Sequence, residues 1–398
     1  MERALPDTLR RLLIDASDGE PKARIVRALS GHGAVSAHQI ARATGLARST
    51  VSTGLADLRR SGLLVEAGED ARGMGRPTQL HLLRPSAGLC AGVLIGLDDI
   101  RVCLANVGHE VLGDETVPLP RDYTPDEALE ALASTLRSLA LAQGSRTEDL
   151  LGVGLAVSAP VTQAGVVRGG SILPTWAGLD LAAWAAPALG CPIHAENESH
   201  CAALAEMIWG AAIGEDNFVL FKLDMGVGGA VVLDGRVRSG VSGGAAEFGH
   251  MVLDPSGRVC RCGNRGCLET LIGGGHALAL AADLPSVPSS LPDLALLAAN
   301  GDDALRRLIV DLADIAGWGL SIIAAILNPP LVVVTGALAA TGSLLIDPLK
   351  ASYERHALFR TGRLPDAERT RFLSGRFLTN DTVMGAAALV LRQHGRVA

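Results

Sequence analysis

The stretch from Glu247 to Glu269 constrains this chain more than any other. It reads Glu247-Phe-Gly-His250 and, nine residues later, Cys260-Arg-Cys262-Gly-Asn-Arg-Gly-Cys267-Leu-Glu269. One histidine and three cysteines thus fall within eighteen residues. A tetrahedral zinc ion needs four soft or borderline ligands at one point. Gly263 and Gly266 let the backbone turn tightly enough for Cys262 and Cys267 to face one ion. The Cys-x-Cys spacing is not the two-residue gap of common zinc fingers, so three reduced thiols beside an unrelated histidine stand as the alternative.

At 398 residues and 48% hydrophobic composition the chain has material for two or three cored domains. No apolar run reaches the roughly 18 residues of a bilayer span, and the N-terminus does not open a signal peptide. Seven cysteines, three of them clustered, suit a reducing cytoplasm rather than a disulfide framework. Residues 1–85 hold 13 basic and 9 acidic groups, whereas the remainder holds 22 and 33. A basic head on an acidic body points the head toward a polyanion.

The head carries three helical patterns. Pro21 opens the first, with Ile25, Val26 and Leu29 on one face and Gly31-His-Gly33 at its end. Ser36 caps a second, short helix with Ile40 inward. After a turn at Thr44-Gly45 a third runs from about Ala47 to Arg60, its apolar stripe formed by Val51, Leu55 and Leu58. The opposite stripe is Ser49, Ser52, Thr53, Ala56 and Arg60, with Arg48 at its start. A small, polar outer face lets a helix sit deep in the major groove, where hydroxyls and arginine reach phosphates and base edges. Leu63–Val65 and Gln79–Leu82 then read as two short strands about a tip carrying Arg72 and Arg76, placed to enter a minor groove. The sum is a winged helix-turn-helix over residues 1–85, with double-stranded DNA as its partner.

The body, residues 86–398, gives one order of elements twice. Three strands (89–97, 100–107, 110–118) precede alternating helices and strands, and a second meander (218–223, 229–233, 236–238) precedes another such run. A long helix spans about 303–327 and stops at Asn328-Pro-Pro330. Two α/β lobes, approximately 86–196 and 197–398, around a ligand cleft are expected.

The Glu-x-Gly-His and Cys-x-Cys-Gly-x-x-Gly-Cys-Leu-Glu stretches resemble the signature of the ROK family (repressors, open reading frames and sugar kinases). The resemblance implies an actin- and hexokinase-like body. It implies a structural zinc held by His250, Cys260, Cys262 and Cys267, and sugar contacts from Asn197, Glu198, Glu247, His250 and Glu269. The repressors of this family carry a winged head and its kinases do not. Leu94-Ile-Gly96-Leu97-Asp98 stands where the kinases resemble Asp-x-Gly-Gly-Thr, and Asp224-Met225-Gly226-Val227-Gly228-Gly229 where they resemble Gly-Thr-Gly-x-Gly-Gly. Both changes put carboxylates where phosphates would lie. Glu198 stands at the position of the kinases' catalytic aspartate, and Ile172 at that of a sugar-binding asparagine. The expectation is therefore a cytoplasmic regulator, most simply a repressor, without enzyme activity. It would answer to a sugar or sugar phosphate and act as a homodimer or dimer of dimers. A sugar kinase with a DNA-binding head, and a regulator controlled by a protein partner, are the rivals.

Overall fold

Helix α1 (Ala4–Arg10) and a π-helical turn over Arg11–Asp15 open the structure, a computed structural model that describes residues 4–17, 19–70, 78–169, 173–358, 364–365, 368–378 and 381–392. The periodicity from Pro21 onward gave no hint of α1. The head that follows matches the helical reading. α2 (Pro21–His32) has proline in its first turn and ends at Gly33 with φ 70°. α3 (Ala37–Thr44) is opened by a reciprocal capping box between Ser36 and Gln39. Gly45 adopts the left-handed conformation, and α4 (Arg48–Arg60) buries Val51, Leu55 and Leu58. It also buries Gly54, where a Cβ would lie 2.4 Å from Cδ1 of Ile25 on α2. β1 (Val35–Ser36), β2 (Leu64–Asp70) and β3 (Thr78–Leu83) form an antiparallel sheet in the order β1-β3-β2.

The chain divides into two units, Met1–Cys201 with Val383–Ala398, and Ala202–Thr382. In the first, β4 (Leu89–Ile95), β5 (Asp99–Asn106) and β6 (Val111–Pro118) form the expected meander. α5 (Pro125–Ala142), capped by Thr124 and Glu127, leads to β7 (Val153–Val157), α6 (Leu181–Leu189), β8 (Ile193–Asn197) and the start of α7 (Glu198–Trp209). The sheet order is β6-β5-β4-β7-β8, antiparallel in the meander and parallel from β4 to β8.

The second unit repeats this topology. β9 (Phe218–Leu223), β10 (Val227–Leu233) and β11 (Arg236–Val237) make the meander. α8 (Glu269–Ile272), α9 (Gly274–Ala281) and α10 (Leu291–Ala299) fill a stretch that the sequence pattern left unassigned. α11 (Asp303–Leu327), β12 (Leu331–Thr335), α12 (Ser343–His356) and β13 (Arg371–Ser374) complete it, in the order β11-β10-β9-β12-β13. The same strand order in both sheets is the duplication anticipated from the order of elements. α11 is long and apolar enough to cross a bilayer, but its buried face, Leu305 through Ile323, packs in the core of this unit.

The last helix, α13 (Asp381–Arg392), returns to the first unit. Gly92 on β4 and Gly154 on β7 admit it, since a Cβ there would lie 2.1 Å from the Val383 carbonyl oxygen and 1.8 Å from that of Ala386. The head is not a separate bead. Leu9, Leu12, Leu13, Ile25 and Leu29 share one core with Cys90, Val107 and Leu151 of the lobe and Val390 and Leu391 of α13.

Candidate functional site

His250, Cys260, Cys262 and Cys267 converge in the second unit, with one ligand atom from each lying within 4.8 Å of all the others. Cys260 Sγ is 3.6 Å from His250 Nδ1, and the Sγ atoms of Cys262 and Cys267 are 3.6 Å apart. Bonds of about 2.3 Å to sulfur and about 2.0 Å to nitrogen give tetrahedral edges of roughly 3.5 to 3.8 Å, so the group fits a four-coordinate ion. The loop is shaped for it. Gly263 and Gly266 have φ of 93° and 62°, and a Cβ on Gly266 would lie 1.5 Å from the Asp254 carbonyl oxygen. The Cys260 amide donates to the Asn264 carbonyl, and Val252 pairs with Cys267. Burial, with the neighbouring Cys262 and Cys260 thiols, pushes Cys267 up to about 12. A cation bound there would stabilise the thiolates, so its binding would release protons.

Glu247 and Glu269 flank this group. Glu247 Oε2 is 3.9 Å from His250 Nε2. Glu269, which opens α8, accepts from Arg261 Nη2 at 2.7 Å and from the Val227 amide at 3.1 Å. Burial lowers the His250 pKa, with Glu269 opposing and Arg261 adding to the effect. Arg261 was not singled out from sequence, because its pairing with Glu269 across the loop follows no helical or strand period. The pair packs directly on the second glycine loop, where a Cβ on Gly226 would meet Glu269 Oε2 at 2.6 Å and Arg261 Nη2 at 2.8 Å. The Asp224 carboxylate accepts from the Met225 amide, so that loop is braced from within.

Asn197 and Glu198 lie in the first unit. Asn197 is buried and caps α7, its Oδ1 accepting from the Ser199 amide at 2.8 Å while Nδ2 donates to the Ala159 carbonyl. Glu198 accepts from the Ser158 hydroxyl at 3.0 Å. His200 is buried with its Nδ1 3.0 Å from Glu196. Leu94 lies on β4, and Asp98, in the β4–β5 turn, is exposed and 3.6 Å from Arg121 Nε. Ile172 lies outside the described residues.

In the head, Arg48, Ser49, Ser52, Thr53, Ala56 and Arg60 are all exposed along α4. Asp57, at the edge of that face, is held by Lys22 at 2.7 Å and by Arg60. Arg72 and Arg76 fall in the stretch between β2 and β3 that lies outside the described residues.

The ROK family profile matches residues 90–393. The chain belongs to the ROK family. A MarR family profile matches residues 20–73 of this ROK protein, the stretch that contains α2, α3 and α4. The xylose repressor of Bacillus subtilis (strain 168) is 25% identical to it over 330 residues, 82% of this chain and 85% of the relative. A glucokinase of Streptomyces coelicolor is 28% identical over 286 residues, 67% of this chain and 88% of the relative. Among solved structures, a ROK family transcriptional regulator homologous to the E. coli MLC protein aligns with a TM-score of 0.71 at 23% identity. That alignment covers 98% of this chain and 97% of the other, so this ROK protein has the same fold, head included.

Proposed function

We propose that this ROK protein is a DNA-binding transcriptional repressor controlled by a sugar or sugar phosphate. The observation that carries the reading is the exposed Arg48-Ser49-Ser52-Thr53 face of α4 on a head joined to a ROK body. Small side chains on that face let the helix approach base edges, and Arg48 at its N-terminal end meets phosphate. Arg72 and Arg76 are assigned to the minor groove beside it. The repressor names of relatives that span head and body support the same role.

The metal at His250, Cys260, Cys262 and Cys267 is assigned as zinc with a structural role, since all four positions of a tetrahedron are filled by protein. Zinc there fixes His250 and the loop that carries Arg261. For the effector, Glu247, His250 and Glu269 are the residues offered in the second unit, with Glu198 in the first. Asn197 contributes by fixing the start of α7, because its side-chain amide is already engaged. The protein works in the cytoplasm as a homodimer or dimer of dimers, one head per half-site.

The second reading is a kinase, favoured by the glucokinase relatives. Against it stand Leu94, near the end of β4, and Asp98 and Asp224 in the two turns where phosphates would lie. The Val227 amide, which a phosphate loop would offer to its ligand, already donates to Glu269.

The test is selection of random DNA duplexes on the purified protein, followed by competition with a panel of sugars and sugar phosphates. Enrichment of one sequence with two half-sites about one helical turn or a multiple apart, released by one panel member, is the expected result. Absence of any enriched sequence would remove the repressor reading.

A further inference from the structure

The apolar side chains of α11 do not all face the core. Only half of its most apolar 18 residues are buried. Trp318, Ile322 and Ile326 lie on the side away from Leu312, Ala316 and Ile323, and they are 38%, 36% and 76% exposed. Spaced four apart, they line up as one stripe about 12 Å long. Ala325 is exposed beside them, and its side chain is too short to hold another helix off. At the Trp318 end, the His356 ring of α12 is centred 6.4 Å from the indole. Leu358, two residues further on, is 78% exposed.

The charges around the stripe favour a second copy of the chain over other occupants. From Ile315 to Ile346 the sequence has no charged side chain. Toward the start of the helix the same stripe continues as Arg307, Asp311 and Asp314, and each is neutralised within its own chain. Arg307 Nη2 lies 2.9 Å from Asp311 Oδ1, and Asp314 is paired with Arg355 of α12. Contact between two identical faces brings like charges together, which is costly unless they are already paired. Here they are. A helix that lies on a membrane carries lysine and arginine beside its apolar face, whereas the groups here are two aspartates and two arginines in neutral pairs.

Trp318, Ile322, Ile326 and Leu358 together leave roughly 400 Å² of apolar surface, the scale of the apolar centre of an interface that buries about 800 Å² per partner with a polar rim. An evenly spaced stripe is also self-complementary. A two-fold axis through Ile322 runs two such helices antiparallel and sets Ile322 on its own copy. Trp318 of each chain, four residues before the axis, then meets Ile326 of the other, four residues after it. We propose that this face of α11 is the homodimer interface, with the axis at Ile322. The proposal rests on the homodimer in the function proposed above, and it names the surface that pairs the two chains.

The test is analytical ultracentrifugation of the full-length protein over a range of concentrations. Ile322→Glu and Ile322→Lys are each expected to weaken association at least tenfold and to halve the mass of the wild-type assembly. Leu141→Glu, on the exposed face of α5, is expected to leave the mass unchanged. An equimolar mixture of the two Ile322 variants is expected to recover the wild-type mass, because glutamate then faces lysine across the axis. That recovery also shows that neither variant failed by unfolding. A wild-type monomer overturns both the proposal and the homodimer. A wild-type dimer that ignores the Ile322 variants, or a mixture that stays dissociated, overturns the proposal alone and leaves the homodimer standing. Flotation with phosphatidylglycerol vesicles is a second arm, in which no binding is expected. Binding by wild type that is lost in Ile326→Glu, with the mass unchanged, gives the stripe to lipid and overturns the proposal.

Discussion

At the level of single residues, the cysteine cluster was legible because its ligands lie close together in sequence and its glycines mark the turns. Gly263 and Gly266 take the positive φ that their spacing suggested. Two neighbours were not legible. Arg261 meets Glu269 only once the loop is closed, and Gly54 is buried because Ile25 leaves no room for a side chain. Metal analysis of freshly purified protein is expected to return one zinc per chain, and Cys260→Ser to return well under half of that, because three ligands hold the ion far less tightly than four. A pH prediction rests on His109, whose Nε2 lies 2.8 Å from the Ser30 carbonyl. Burial pushes its imidazole down from 6.5 to about 4. Between those values the unfolded chain takes up a proton that folded His109 does not, so this residue costs stability as pH falls from about 6.5 to about 4 and adds no further loss below. Thermal unfolding of wild type and His109→Asn, compared from pH 7.5 to 4, is expected to show a shallower fall in the variant. Asparagine suits the left-handed backbone there, where φ is 68°.

At the level of elements, the long amphipathic pattern of α11 and the two strand meanders were plain, because regular periods of 3.6 and 2 persist over many residues. α1 and α8 to α10 were not, because short helices packed on several sides lack a clean polar face. β1 has only two residues and exists through its pairing with β3, which no local pattern records. The function proposed above rests, at this scale, on α4. Arg48→Ala is expected to weaken operator binding about equally across sequences and to lower the salt dependence of affinity, measured by titration at several salt concentrations. Ser52→Ala and Thr53→Ala are expected instead to relax the preference between bases. The head rests on α13, and Leu391, 2% exposed, sits in their common core. Leu391→Ala is expected to cost about 2–5 kcal/mol in denaturant unfolding of the full chain. Deleting residues 1–85 is a poor test of the head, since it would strip the partners from Cys90, Val107, Val390 and Leu391.

At the level of the whole molecule, two sheets with the same strand order make a body whose relatives include both repressors and glucokinases. The proposed choice between those roles rests on a few side chains, Leu94, Asp98, Glu198 and Asp224, that lie far apart in the chain. In a coupled ADP-release assay with glucose, xylose, fructose, N-acetylglucosamine and N-acetylmannosamine, no turnover above background is expected. Sugar-dependent turnover that vanished in Glu198→Ala would restore the kinase reading. One further consequence comes from α13, which enters the first unit after the whole second unit has been laid down. A ribosome makes α2, α3 and α4 before the second unit, yet part of the core that seats them, Val390 and Leu391 on α13, is translated after it. The head therefore cannot complete its core until the whole second unit has been made. A message truncated before residue 381 yields a protein whose α4 is intact but stands on an unfinished base.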